Sequence, residues 1–124
     1  MRVTALDHIV LNVADQQRSL DFYAGKLDLP AERVDLWREG KVGFPSVRVN
    51  EHTILDLAKR ERSGENLAHF CLVVEGDIDA VRAELEGKGV AIHSDTRPRS
   101  GARGSGSSFY LDDPDGNEIE IRGY

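Results

Sequence analysis

The chain has one cysteine in 124 residues, so no intramolecular disulfide framework can hold it together. That residue, Cys71, sits inside an apolar run. Such usage fits a reducing cytoplasm, and a cytoplasmic protein is expected. Long apolar stretches are also lacking. Nothing approaches a membrane-spanning length, and the opening MRVTALDHIVLNV carries no signal-type apolar core or cleavage site. No membrane association is therefore expected. Basic charge is in short supply, with 16 Lys and Arg against 22 Asp and Glu and a net charge of -6. A nucleic-acid backbone is accordingly not an expected partner, although a local basic pocket is still allowed.

What is present is ordinary globular material, 40% hydrophobic and 31% charged. A chain of this length forms one domain, residues 1–124, and buries a core without covalent staples. Its most informative feature is an internal repeat. His8-Ile9-Val10-Leu11-Asn12-Val13 and His69-Phe70-Cys71-Leu72-Val73-Val74 both read His, two apolar residues, Leu, any residue, Val. Each run is strand-like, and each is followed by an acidic residue suited to cap a helix, Asp15 and Asp77. Leu20, Phe22, Tyr23 and Leu27 then fall at helical spacing between Gln16 and Lys26, and Ile78, Val81 and Leu85 do so in the second half. Each half closes on a carboxylate between aliphatics, Leu55-Asp56-Leu57 and Ile119-Glu120-Ile121. Before the second lies Asp112-Asp113-Pro114-Asp115-Gly116-Asn117, a strong hairpin turn signal.

Further strand candidates are Leu36-Trp37-Arg38, Val47-Arg48-Val49, Val90-Ala91-Ile92 and Ser108-Phe109-Tyr110-Leu111. The resulting pattern is β-α-β-β-β twice, an α+β fold with module one at about 1–60 and module two at about 66–124. Lys59 to Asn66 links them. Ser94 to Ser107, rich in Gly, Ser and Arg, is too long for a plain hairpin and is expected to be a loop.

Side chains on a strand alternate between faces. Ile9, Leu11 and Val13 share one face, expected to pack under a helix, while His8, Val10 and Asn12 share the other. On the closing strand Ile119 and Ile121 oppose Glu118, Glu120 and Arg122. If the two sheets curl together, two histidines and two carboxylates converge. Imidazole nitrogen with carboxylate oxygen suits Mn, Fe, Co, Ni or Zn, and two His plus one carboxylate leave positions open for chemistry. His8, His69 and Glu120 are thus the expected ligands of one divalent metal ion. A lone strand-start His is more often structural, and a Glu between isoleucines can be a solvent face. The same position in two repeats is what argues for the site. His52 and His93 have no counterpart in the other half and read as surface residues.

The residues that carry this argument also resemble a known group. LDHIVLNVADQQRSLDFYAGKLDLP, LAHFCLVVEGDIDAVRAELEGKGV and FYLDDPDGNEIEI, in that order, are similar to the module openings and closing signature of the vicinal-oxygen-chelate superfamily, which holds glyoxalases, bleomycin-resistance proteins and ring-cleaving dioxygenases. The resemblance covers essentially the whole chain. It implies paired βαβββ modules curled into a cup, often completed in a homodimer, and a divalent metal on His8, His69 and Glu120. It also implies a role for Asp56, where Glu is commoner in glyoxalase-like members, as ligand, as general base, or as neither.

Within the Ser94–Ser107 stretch, Arg97, Arg99 and Arg103 suggest an anion clamp, against the bland reading of a solvated linker. RGSGSSFY resembles the fosfomycin-modifying branch. Arg103, Ser107, Tyr110 and Trp37 are the expected substrate contacts, with Asp56 and Glu120 as catalytic carboxylates. The expected function is a divalent-metal-dependent enzyme on a small, anionic, oxygenated substrate, of glyoxalase (lyase), isomerase or epoxide-opening type. The alternatives are an Fe(II) extradiol-type dioxygenase and a binding protein without catalysis. Glu120→Ala is expected to abolish metal uptake while leaving the fold intact.

Overall fold

In the computed structural model, every residue is described except Val3, Ala5, Asp7, Arg62, Ser63 and Ala102. The middle of the Lys59–Asn66 link thus lies outside the described residues. The chain separates into two compact units, Met1–Asn66 and Leu67–Tyr124.

In the first unit, β1 (His8–Val13) leads through Asp15 into α1 (Gln16–Leu20), which continues as a π-helical turn over Asp21–Lys26. Asp15 caps the helix by accepting from the Arg18 amide at 2.9 Å. Then come β2 (Ala31–Glu32), α2 (Val34–Arg38), β3 (Ser46–Arg48) and β4 (Ile54–Lys59). The sheet order is β1-β4-β3-β2, with β1 parallel to β4 and the other pairs antiparallel. Leu11, Val13, Val47, Leu55 and Leu57 form its buried face, joined by Leu20, Phe22 and Tyr23, whose two rings meet edge to face at 5.2 Å.

The second unit repeats the plan: β5 (Phe70–Val73), α3 (Ile78–Gly87), β6 (Arg97–Gly101), β7 (Gly104–Asp112) and β8 (Glu118–Gly123), in the order β5-β8-β7-β6. Asp77 caps α3 by accepting from the Asp79 and Ala80 amides. Leu85, Val90, Phe109, Leu111, Ile119 and Ile121 are its core. Both units are therefore β-α-β-β-β with mixed four-stranded sheets, the first carrying the short α2 between β2 and β3.

Three local expectations are corrected. Leu36-Trp37-Arg38 is not a strand but most of α2. A three-residue apolar run does not distinguish the two periods. Here Asp35 in the first turn and Arg38 in the last suit the helix dipole, and Trp37 Nε1 donates to Gln16 Oε1 at 3.1 Å. Val90-Ala91-Ile92 forms no strand, only a single bridge from Ile92 to Leu111. Ser94–Ser107 is not a loop throughout, because β6 and the start of β7 pair across it from Arg97↔Ser108 to Gly101↔Gly104. This hairpin lies at a sheet edge, which tolerates Pro98 and needs no apolar alternation, so the usual strand signal is missing. Its Gly106 serves the chain's own backbone: a Cβ there would lie 2.6 Å from the Gly123 carbonyl oxygen.

Gln16 ties the first unit together. Its Nε2 donates to the carbonyls of Leu57 at 2.8 Å and Gly43 at 3.1 Å, while its Oε1 accepts from Trp37. Gln16→Ala is expected to cost about 2 kcal/mol, since it strands a buried carbonyl and an indole N–H. Urea unfolding monitored by Trp37 fluorescence measures this.

Candidate metal centre

Strand register decides which side chains share a face. On the second sheet, Cys71 pairs with Glu120 and Glu120 with Tyr110, while Val73 pairs with Arg122 and Arg122 with Ser108. Glu118, paired with Asp112, completes the row-by-row pattern. The face away from α3 thus carries Cys71, Glu120, Tyr110, Arg122, Ser108 and, across β6, Arg97 and Arg99. Phe109, Leu111, Ile119 and Ile121 occupy the opposite, helix-covered face.

Glu120 is buried at 5% exposure, and its two oxygens have different partners. Oε1 accepts from Arg122 Nη2 at 2.7 Å. Oε2 lies 3.4 Å from His69 Nε2. Burial by itself would raise the Glu120 pKa. The hydrogen bond from Ser108 and the hydrogen bond and charge of Arg122 outweigh it, with a further contribution from His69, and hold the group below the ordinary carboxylate range. Arg122 is itself buried and donates to the Arg99 and Ser100 carbonyls, both at 2.9 Å. It thereby fixes Glu120 against the sheet, with Oε2 towards His69.

That pair suits a metal. Two ligands each roughly 2.1 Å from one ion and at a tetrahedral angle stand about 3.4 Å apart, which is the separation observed. His69 is exposed, so the remaining positions of an ion held there would open to solvent or substrate.

Tyr110 flanks the pair. Its ring meets His69 edge to face at 5.5 Å, and the Arg99 guanidinium lies over it at 4.7 Å. Burial first, and then the Glu120 charge, push the Tyr110 pKa up against the opposing effect of Arg99, so the phenol stays protonated and is a hydrogen-bond donor at neutral pH. Arg99 is held by the Ser108 carbonyl and hydroxyl at 2.5 and 3.3 Å.

The first unit places the equivalent residues on its own sheet. Val10, Asp56 and Ser46 lie in one row, as Cys71, Glu120 and Tyr110 do in the second, and His8 lies in the next row opposite Ile54. Asp56 is buried, and its Oδ1 accepts from Ser46 Oγ at 2.6 Å with Arg33 Nη1 3.8 Å away. Ala58 stands where the second unit has Arg122, so Asp56 has no guanidinium two residues along its own strand. Glu32, on the same face, is occupied by a two-point pair with Arg48.

The matching family model spans residues 5–121 and describes the Glyoxalase/Bleomycin resistance protein/Dioxygenase superfamily. The chain belongs to this superfamily. It is 30% identical to a virulence protein of Salmonella typhimurium over all of the chain and 87% of that protein. The crystal structure of that Salmonella protein superposes with a TM-score of 0.83 at 26% identity, covering 100% of this chain and 99% of the other. A protein from the mobile metagenome of V. pseudocholerae gives 0.82 at 30% identity, with 100% and 97% covered. An antibiotic-binding protein from Streptomyces shares the fold at 21% identity and a TM-score of 0.75, covering 99% of this chain and 98% of that one. The superfamily's description names resistance proteins alongside glyoxalases and dioxygenases. No helix among the described residues is long and apolar enough to cross a membrane.

Within this superfamily member the expected site residues fall into distinct places. His69, Glu120 and Tyr110 are brought together in the second unit, and His8 and Asp56 lie on one face of the first sheet. Trp37 is engaged with Gln16. Ser107 is on the helix side of β7, opposite in parity to Tyr110 and paired with Gly123, so it does not face Glu120. Its neighbour Ser108 does. Arg103 is at the turn of the β6–β7 hairpin, about 20 Å along the strand from Tyr110 at roughly 3.3 Å per residue, where its guanidinium stacks on Tyr124 at 5.2 Å. The arginine that reaches Tyr110 is Arg99. Alternation counted back from Glu120's partner would have selected Ser108 and Arg99, but only with the register known. His93, read as a bare surface residue, joins Asp112 and Glu118 in a cluster of metal-capable side chains.

Proposed function

We propose that this protein is a divalent-metal-dependent enzyme acting on a small, anionic, oxygenated substrate, with glyoxalase (lyase), isomerase or epoxide-opening type chemistry. The observation that carries this reading is the His69–Glu120 pair, at metal-ligand separation and with Glu120 held as an anion by Arg122 and Ser108. His8, the strand-start counterpart of His69 in the first module, is the third proposed ligand. When bound, the ion supplies Lewis acidity to a substrate oxygen pair.

The chain's own groups supply the rest. Arg99 offers a fixed cation beside Tyr110 for the substrate's anionic group, and the Tyr110 phenol donates a hydrogen bond to an oxygen near Glu120. Asp56, with Oδ1 engaged by Ser46, takes or returns a proton through its other oxygen. Burial keeps that carboxylate out of bulk water.

Metal analysis of protein purified without added metal tests the reading. We expect bound Mn, Fe, Co, Ni or Zn that is lost in Glu120→Gln, a variant that keeps an acceptor for Arg122. Asp56→Ala should retain the metal and lose turnover if Asp56 is the base, and lose the metal if it is a ligand. Absence of bound metal, together with no tight uptake of any of these ions, refutes metal-dependent catalysis and leaves small-molecule binding without chemistry. Oxygen consumption with catechols would instead favour the dioxygenase reading.

A further inference from the structure

We propose that His93, Asp112 and Glu118 form a second divalent-cation site, on the same face of the second sheet as Glu120 but built from other side chains. His93 Nε2 lies 3.3 Å from Asp112 Oδ1 and 3.6 Å from Glu118 Oε2, and all three ligand atoms fall within 4.8 Å of one another. These nitrogen-to-oxygen separations bracket the roughly 3.4 Å between two ligands of one tetrahedral ion.

The strand pairing itself calls for a cation here. Asp112 and Glu118 are directly opposite in the β7–β8 ladder. Two carboxylates at such a position repel, a cost of a few tenths to about 1 kcal/mol. The adjoining turn needs neither of them, because Asp113 and Asn117 close it. Arg82, which lines a cavity with His93, is engaged by Glu86 and the Ser94 carbonyl. His93 alone does not neutralise two carboxylates, whereas a divalent ion shared by all three does.

The imidazole is also positioned in advance. The His93 amide donates to the Tyr110 carbonyl at 3.1 Å, the Tyr110 amide donates to Ser94 Oγ at 2.8 Å, and Ile92 bridges to Leu111. The His93 ring is stacked on Tyr110, 17° from parallel with centroids 6.5 Å apart. The segment is thus pinned to β7 with Nε2 aimed at the two carboxylates. Both carboxylates are partly exposed, so water can complete the coordination shell. One nitrogen and two oxygens select Zn, Mn, Fe, Co or Ni over the all-oxygen preference of Ca and Mg. Tyr110 stands between the two centres, touching His69 with its edge contact and His93 with its stack.

The test is a Zn²⁺ titration of the full chain, with histidine ring resonances followed by NMR and bound zinc counted. At micromolar Zn²⁺ the His93 Nε2 signal should move. Asp112→Asn/Glu118→Gln should abolish that movement and lose one bound zinc, while the His69 response persists. Since this double variant removes opposed charges, its metal-free form should melt no lower than the parent. A His93 signal unmoved at saturating Zn²⁺, a response only at millimolar metal, or unchanged zinc stoichiometry in the double variant would overturn the site. Failure of the His69–Glu120 centre reads out separately, in the His69 resonances.

Discussion

Glu120→Ala should cost about 3–5 kcal/mol of stability and, with it, metal uptake. The metal loss follows from the ligand role. The stability loss follows from Arg122, which the substitution leaves as a buried charge whose remaining partners, the Arg99 and Ser100 carbonyls, Cys71 and the Tyr124 ring, carry no full negative charge. The expectation of an intact fold is thereby revised to a weakened one. Glu120→Gln separates the two effects, keeping an acceptor for Arg122 while removing the ligand charge. It should fold with a smaller loss and still bind metal poorly. Denaturant unfolding of both variants alongside metal counts distinguishes them. If Glu120→Ala is as stable as the parent, the Arg122 pairing contributes nothing.

The same pair sets an acid limit. Because the Glu120 pKa is lowered in the fold from its ordinary 4.5, the unfolded chain binds this proton more readily. The pair's contribution is complete above the unfolded value and disappears as pH falls through the lower, folded one. Unfolding measured from neutral pH downwards should lose stability below about pH 4.5, and Glu120→Gln should remove that component. A wild-type curve that parallels the Glu120→Gln curve across this range would contradict the assignment.

Asp113→Ala should cost about 3 kcal/mol or more, although Asp113 is none of the proposed ligands. Asp113 Oδ1 accepts from the amides of Asp115 and Asn117, both at 2.8 Å, and Oδ2 accepts from the Asn117 side chain at 2.7 Å. Asp113 and Asn117 are both buried, so the substitution strands two or three donors at roughly 1–3 kcal/mol each, partly offset by solvent entry. The turn also sets the register that puts Glu120 opposite Tyr110. A slip of one residue would send Glu120 to the helix face. The variant should therefore lose metal affinity as well as stability, and Asp113→Asn should recover part of both. Calorimetric melting with metal titration checks this. An Asp113→Ala protein with parental melting temperature would show that the turn does not depend on this cap.

This bears on how the chain is read. Asp112-Asp113-Pro114-Asp115-Gly116-Asn117 is the most specific stretch of the sequence, and part of its specificity is mechanical. Asp113, Gly116 at φ +76° and Asn117 build the turn, while Asp112 and Glu118 beside it meet His93. A local motif is legible because its hydrogen bonds are made within five residues. The β6–β7 hairpin was not legible for the opposite reason. Its strands lie at an edge, and its glycine, serine and arginine carry no apolar alternation.

The sequence by itself determined the two-module plan. Repeated His-led strands, Asp caps and aliphatic-flanked carboxylates are all encoded in short spacings, and alternation assigned Leu11, Val13, Ile119 and Ile121 to the core and the histidines and carboxylates to the other face. Tertiary structure decided what lies beside what. That Arg122 grips one oxygen of Glu120, that Ser108 rather than Ser107 faces it, that Arg99 rather than Arg103 covers Tyr110, and that His93 meets two carboxylates all depend on strand register. Register is a relation between residues on different strands, 10 positions apart for Tyr110 and Glu120 and 49 for Cys71 and Glu120, set by turns and by which faces must be buried, and no local spacing records it.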